Sequence, residues 1–303
     1  MTGVWATKHR PISLTGIVGQ DSLVAELMAI VTDDAPMQHY LFYSPEAGTG
    51  KTSVAYALAK DLGYQLIVFN ASSKKQRGIE FVEEQIIPLV RSGVKERIFL
   101  LDEADQLTDS AQSALKGVIE NASGYFILTC NRLPKVSRWL QSRCQVRTFE
   151  PITVKDMTTR LIHIASLEGM ADKITSQMID VIIKKHKGDL RNAIGALQTA
   201  CSLPEKEAQS FVDSLTTPNI DCNKLLQICF RDKSIEDAIK LLRGDVRQQI
   251  RNVFSYAVES TANPSSKMVV IESAIISERD LISGVDEEIV RYNFIRMLVN
   301  GGK

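Results

Sequence analysis

The sequence predicts an α/β fold: a parallel sheet with helices on both faces, followed by an all-helical second half. Three observations carry this. Strand-like and helix-like stretches alternate up to Pro151, and strand signals stop there. A glycine-rich turn, Gly48-Thr49-Gly50-Lys51-Thr52, lies between an apolar run and a helical pattern. A second apolar run, Ile98-Phe99-Leu100-Leu101, ends in two carboxylates, Asp102 and Glu103.

Taken in order, the strand-like runs cover residues 39–43, 66–70, 98–101, 125–130 and 146–149. The helix-like stretches between them cover 52–62, 79–91, 110–121 and 136–141; the first shows its apolar face at Val54, Leu58 and Leu62. Single helical crossovers between strands give a parallel sheet, and ligands of such sheets bind beyond the C-terminal ends of the strands. Beyond Pro151 the spacing is helical, as in Met157-Leu161-Ile164 and Met178-Ile179-Ile182-Ile183. A turn-rich break, Leu215-Thr216-Thr217-Pro218-Asn219, separates a short helical block from a longer one ending at Lys303 and punctuated by Gly244 and Asn263-Pro264. The expected domains are therefore 1–151, 152–216 and 219–303. There is no internal repeat and no low-complexity segment.

Bulk properties narrow the class. The 303 residues are 44% apolar and 24% charged, an ordinary soluble globular mix. No apolar run approaches the ~18–20 residues of a membrane span, and residues 1–10 lack an apolar signal core. The expected compartment is the cytoplasm or nucleoplasm, with no membrane partner. The 5 cysteines are scattered without a C-x-x-C pair, which argues against zinc and against a disulfide framework. Formal net charge is zero, so nucleic acid would be bound only through a localised patch.

The glycine-rich turn is a phosphate cradle. Backbone N–H groups at a helix N-terminus point at phosphate oxygens, and the helix dipole favours negative charge there. Candidate nucleotide contacts run through Pro45, Glu46, Ala47, Gly48, Thr49, Gly50, Lys51, Thr52 and Ser53. Lys51 can reach the β- and γ-phosphates of ATP, and the Thr52 hydroxyl can ligate Mg²⁺. Pro45 stands where the pattern asks for glycine, but the stretch from Gly48 to Thr52 is intact. The strand ending at Asp102 and Glu103 supplies a second Mg²⁺ ligand and a carboxylate to orient or deprotonate a water. Alone, an apolar strand followed by Asp-Glu is a common loop start; one strand–helix pair after Lys51 it becomes specific. Asn131 ends the next apolar run, where it either begins a loop or bonds a γ-phosphate. Arg143 precedes the last strand, and Arg191 follows Asp189, which is placed as a helix N-cap. Surface arginines are usually only solvated; one reaching a γ-phosphate can act in cis or on a neighbouring subunit.

Together these residues resemble the AAA+ ATPases, and within them the small subunits of replication factor C. Trp5-Ala6-Thr7-Lys8-His9-Arg10-Pro11 with Ile17-Val18-Gly19-Gln20 resembles the family segment near the adenine, implying base contacts by Trp5, Arg10 and Val18. Asn70-Ala71-Ser72 with Arg77-Gly78-Ile79, Asp102-Glu103-Ala104-Asp105, Ser142-Arg143-Cys144 and Gly188-Asp189-Leu190-Arg191 resemble family motifs in family order. The Ser44-Pro45 opening is closer to the T-even-type phage clamp-loader ATPase. The resemblance covers roughly residues 5–201. It implies a nucleotide-binding domain, a small helical lid and an all-α C-terminal collar. It also implies roles: Asp102 holds the metal, Glu103 is the catalytic carboxylate, Asn131 and Arg191 sense the γ-phosphate, and Arg143 completes a neighbour's site. Hydrolysis would then need an assembly, in the family a pentamer joined through collars and gripping a sliding clamp and primer–template DNA.

Lys74, Lys75 and Arg77, just before a helix starting near Ile79, fit a DNA backbone or a plain solvated basic turn; the resemblance favours the former for Arg77. Phosphate contacts imply no sequence preference. The same helix ends in Ile86, Ile87, Leu89 and Val90, which the resemblance turns toward the clamp, although apolar residues there are more often core. Alternatives are another AAA+ motor, such as a branch-migration helicase or origin initiator, and a structural loader subunit without hydrolysis. Residues 221–303 show neither a hairpin nor a basic recognition helix, and Lys51, Thr52, Asp102 and Glu103 are all present.

Overall fold

The computed structural model describes residues 3–215, 221–242, 244–260 and 263–301. Most of the turn-rich break, residues 216–219, and Lys303 lie outside the described residues. The chain divides into two compact units, Met1–Asp213 and Ser214–Lys303.

The first unit opens with a helical turn, α1 (Trp5–Lys8), and α2 (Asp21–Val31). Then follow β1 (Tyr40–Tyr43), α3 (Lys51–Asp61), β2 (Gln65–Asn70), α4 (Ile79–Phe81), α5 (Ile87–Arg91), β3 (Arg97–Asp102), α6 (Asp109–Glu120), β4 (Tyr125–Cys130), α7 (Arg138–Arg143) and β5 (Gln145–Thr148). Helices α8 (Val154–Leu167), α9 (Ser176–His186), α10 (Leu190–Ser202) and α11 (Glu205–Leu215) come after the last strand.

All the strands are parallel, in the order β2-β3-β4-β1-β5. Side chains alternate along each strand and so feed two layers. Leu41, Phe99, Leu101, Phe126 and Leu128 pack on one face with Phe81, Ile86 and Leu115. Tyr40, Phe42, Ile98, Leu100 and Ile127 pack on the other with Leu27, Val54, Leu58 and Phe149. Because β1, β3 and β4 are central and run the same way, the residues after Tyr43, Asp102 and Cys130 emerge together along one edge.

Two expectations shift. The helix expected over 79–91 is broken by a π turn, Val82–Ile86, between α4 and α5. Pro88 follows it; it has no N–H, and its ring in a regular α-helix would meet the carbonyl of Glu84. The helix expected over 136–141 begins two residues later, with Ser137 at its N-cap, and ends at Arg143, where Cys144 turns extended.

The second unit contains helices and no strand among the described residues. Helix α12 (Cys222–Gln227) continues into a π turn, Ile228–Asp232, and is followed by α13 (Ile235–Leu241), α14 (Val246–Glu259), α15 (Pro264–Ile282) and α16 (Glu287–Gly301). The side chains of Asp221, Ser234, Asp245 and Asn263 cap the N-termini of α12 to α15, so Asn263-Pro264 starts a helix with proline where its missing N–H costs nothing. Leu225, Val246, Ile250, Val253, Phe294 and Leu298 form the core. No helix among the described residues is long and apolar enough to cross a membrane.

Candidate functional site

The sheet edge and the helices after it enclose a cavity. One wall is the turn after β1. Gly48 (φ +69°) and Gly50 (φ +99°) take backbone angles that side chains disfavour, and α3 starts at Lys51. Residues Ala47 to Ser53 line the cavity. Lys51 is buried, and its Nζ donates to the Glu46 carbonyl at 3.0 Å. Burial lowers the Lys51 pKa from its ordinary value, against the opposing pull of Asp102 and other neighbours. Pro45 and Glu46 are exposed and do not line the cavity, and Glu46 meets Lys51 through its carbonyl.

The floor is the end of β3 and β4. Thr52 Oγ1 donates to Asp102 Oδ1 at 3.0 Å. Thr129, at the end of β4, donates its hydroxyl to the same oxygen at 2.5 Å and accepts the Glu103 N–H at 3.0 Å. Glu103 lines the cavity with its backbone in the left-handed region (φ +57°). Asn131 also lines it, and its N–H donates to the buried Asp105 at 3.3 Å.

The remaining wall joins the N-terminal segment to the later helices. Arg10 and Val18 line the cavity with Ala6, His9, Pro11 and Ile17. The Arg10 guanidinium stacks over Tyr56 at 4.8 Å. Trp5 does not line it: its side chain is buried, and its backbone N–H donates to the Gln198 side-chain oxygen on α10 at 2.9 Å, which anchors the segment. Arg191, with Leu190 and Ile194, faces the cavity from the start of α10, which Asp189 caps through the Asn192 N–H at 3.0 Å. Sequence reasoning missed Ile152, Arg160 and Ile194 as lining residues, and gave no role to Ile17 and Leu190 within the motifs that contain them. Arg160 lies inside the Met157-Leu161-Ile164 pattern and donates to the His9 carbonyl at 2.6 Å. Thr129 is a polar residue near the end of an otherwise apolar strand, a signal weaker in the sequence than Asn131 just beyond it.

Other candidates lie elsewhere. Arg143 is outside the cavity and paired with Glu120 of α6. Lys74 and Lys75 are exposed on a short 3₁₀ turn, and Arg77 is exposed just after it. Ile86 and Val90 are core residues under the sheet, packed with Phe81 and Phe99, so they cannot meet a partner there; Ile87 and Leu89 are half-buried.

The donor set suits Mg²⁺. That ion takes hard oxygens and typically binds through one or two protein groups plus phosphate and water, which matches the Thr52 hydroxyl beside the Asp102 carboxylate. The neighbouring Cys130 thiol, pushed up to about 12 chiefly by burial, stays protonated and offers no soft ligand.

Comparison with known proteins agrees with this geometry. The family model described as "ATPase family associated with various cellular activities (AAA)" matches residues 40–152. The chain is 39% identical over 213 residues to the replication factor C small subunit of Archaeoglobus fulgidus, an alignment spanning 67% of this chain and 65% of that one. It is 32% identical to the small subunit of Staphylothermus marinus, spanning 99% of this chain and 95% of the relative. Among solved structures, the RuvB Holliday junction branch migration motor of Thermotoga maritima superposes with a TM-score of 0.58 at 20% identity, covering 77% of this chain and 85% of RuvB. That last likeness is one of fold.

Proposed function

The chain belongs to the replication factor C small-subunit family of AAA ATPases, and from that premise we propose that it is an ATPase subunit of a DNA sliding-clamp loader. ATP binding opens a clamp and holds it on primer–template DNA, and hydrolysis releases both. The observation that carries the reading is the Thr52–Asp102 pair beside buried Lys51, with Glu103 next along the chain.

In this reading Lys51 neutralises the β- and γ-phosphates, and Thr52 and Asp102 hold Mg²⁺. The ion, when bound, offsets charge on the phosphate oxygens. Glu103 orients and deprotonates the attacking water. Asn131 and Arg191 contact the γ-phosphate from the sheet edge and from α10. Arg143 completes a neighbour's site; its position outside its own cavity supports a poor ATPase in the isolated subunit. Residues 1–151 form the nucleotide-binding domain, 152–216 the lid and 219–303 the collar. Met268, Ile275 and Ile282, exposed once every two turns along α15, support assembly of the second unit with other subunits, in a pentamer. Lys74, Lys75 and Arg77 take the DNA backbone without sequence preference, and Ile87 and Leu89 face the clamp.

The test is steady-state ATP hydrolysis, first alone and then with primer–template DNA, clamp and co-purifying subunits. A low basal rate rising steeply with DNA and clamp is expected. A high rate that responds to DNA but ignores every clamp would mean another AAA+ motor. Glu103→Gln should trap ATP and clamp. Arg143→Ala should cost the assembled ATPase about 10³-fold or more; an assembled rate near wild type would remove the finger from Arg143.

A further inference from the structure

We infer that Thr129 is a positioning residue for hydrolysis: its hydroxyl ties the carboxylate of Asp102 to the backbone of Glu103, setting both acidic groups at once. The inference rests on the ATPase reading above. It begins with register. Leu101 of β3 pairs with Leu128 of β4, so the next residues, Asp102 and Thr129, lie side by side on adjacent strands.

A hydroxyl has one proton and two lone pairs. Thr129 is almost wholly buried, at 2% exposed, and spends its proton on Asp102 Oδ1 at 2.5 Å. A lone pair then accepts the Glu103 N–H at 3.0 Å. Glu103 needs that restraint because its φ of +57° is disfavoured for a residue with a Cβ. Thr52 donates to the same Asp102 oxygen at 3.0 Å and lies 3.3 Å from the other. Asp102 is thus gripped between a hydroxyl that leads to the phosphate turn and one that leads to Glu103. Removing the Thr129 hydroxyl leaves the carboxylate to the Thr52 hydroxyl alone and takes the partner from the Glu103 N–H, while every group assigned to touch ATP stays in the chain. Valine keeps the branched volume, and serine keeps the hydroxyl.

The experiment compares Thr129→Val with the native assembly, and Thr129→Ala with Thr129→Ser; each pair differs only in the hydroxyl or its replacement. Two readouts are taken: kcat and KM of the DNA- and clamp-stimulated ATPase, and the Mg²⁺ dependence of ADP binding by titration calorimetry, which needs no turnover. The variants without a hydroxyl should lose about 10–100-fold in kcat, as when a supporting partner of a metal ligand is removed, with KM little changed. They should also need more Mg²⁺ for the same ADP affinity, and serine should restore both. Valine equal to native in both readouts, or serine no better than alanine, overturns the inference. Should valine fail to fold, the serine–alanine pair decides. An assembly that binds ADP·Mg²⁺ but never hydrolyses ATP would count against the ATPase reading, while the Mg²⁺ readout would still judge Thr129.

Discussion

Replacing Gly48 by alanine probes how closely α10 approaches the phosphate turn. An ideal Cβ at Gly48 would sit 1.9 Å from Asp189 Oδ1 and 2.7 Å from its Cγ. Asp189 cannot simply swing away, because its carboxylate accepts the Asn192 N–H at 3.0 Å and the Asn192 side-chain amide at 2.7 Å. Two costs follow. A Cβ at φ +69° costs roughly 1–2 kcal/mol, and loss of the cap costs about 1 kcal/mol more. Gly48→Ala should therefore destabilise the first unit by roughly 2–3 kcal/mol. In an Asp189→Ala background the cap is already gone, and the same change should cost only the backbone strain and the remaining 3.1 Å approach to the Cα of residue 189. The coupling between the two sites is then about 1 kcal/mol. Gly50→Ala is the control: it also has positive φ, but nothing lies within 4 Å of its Cβ, so it should not couple to Asp189. Urea unfolding followed by tryptophan fluorescence reads the right unit, since both tryptophans, Trp5 and Trp139, belong to it. Equal losses for Gly48→Ala in both backgrounds would refute the argument.

Other outcomes follow from buried polar groups. His39 Nδ1 accepts the Phe126 N–H at 3.0 Å, and burial lowers its pKa below the ordinary 6.5. A depressed histidine binds its proton less well folded than unfolded, so its contribution is full above 6.5 and is lost as pH falls from there through the lower folded value. Denaturant midpoints of the first unit should drop across that window, and His39→Phe should flatten the drop; an unchanged slope would assign it to other groups. Gln249 is fully buried in the second unit, with no hydrogen-bond partner for either side-chain amide atom. Gln249→Met should raise stability by about 1–3 kcal/mol, read by calorimetry as a higher transition temperature; a lower one would show that the amide is satisfied.

The sheet was legible because its strands are short, apolar and separated by helical spacing, so period and composition agree. The phosphate turn and the Asp102-Glu103 pair were legible for a related reason: their chemistry is written in contiguous residues. The far wall of the cavity was not. Arg160 and Ile194 reach it only because α8 and α10 fold back over the sheet edge, and nothing local distinguishes them from other residues of amphipathic helices; Ile152 reaches it from the connection between β5 and α8. Ile86 and Val90 failed as surface candidates for the converse reason. A helix end with four apolar residues gives no sign of which ones the π turn rotates inward. Trp5 lies in the segment that walls the cavity but does not line it: its side chain is buried and its backbone N–H holds Gln198, a pairing 193 residues apart that no local pattern shows.

The anchoring of Trp5 also bears on the order in which this protein can assemble during synthesis. Its partner Gln198 lies 193 residues further along the chain, and Arg160 holds His9 across a separation of 151. Closing loops of that length is slow compared with forming local helices, and it comes after them. A nascent chain can build the central strands and the phosphate turn while its N-terminal segment is still unattached. That segment closes over the cavity only once α10 has left the ribosome. Until then the Trp5 face is exposed apolar surface, available to a chaperone, and the nucleotide has only part of its cavity.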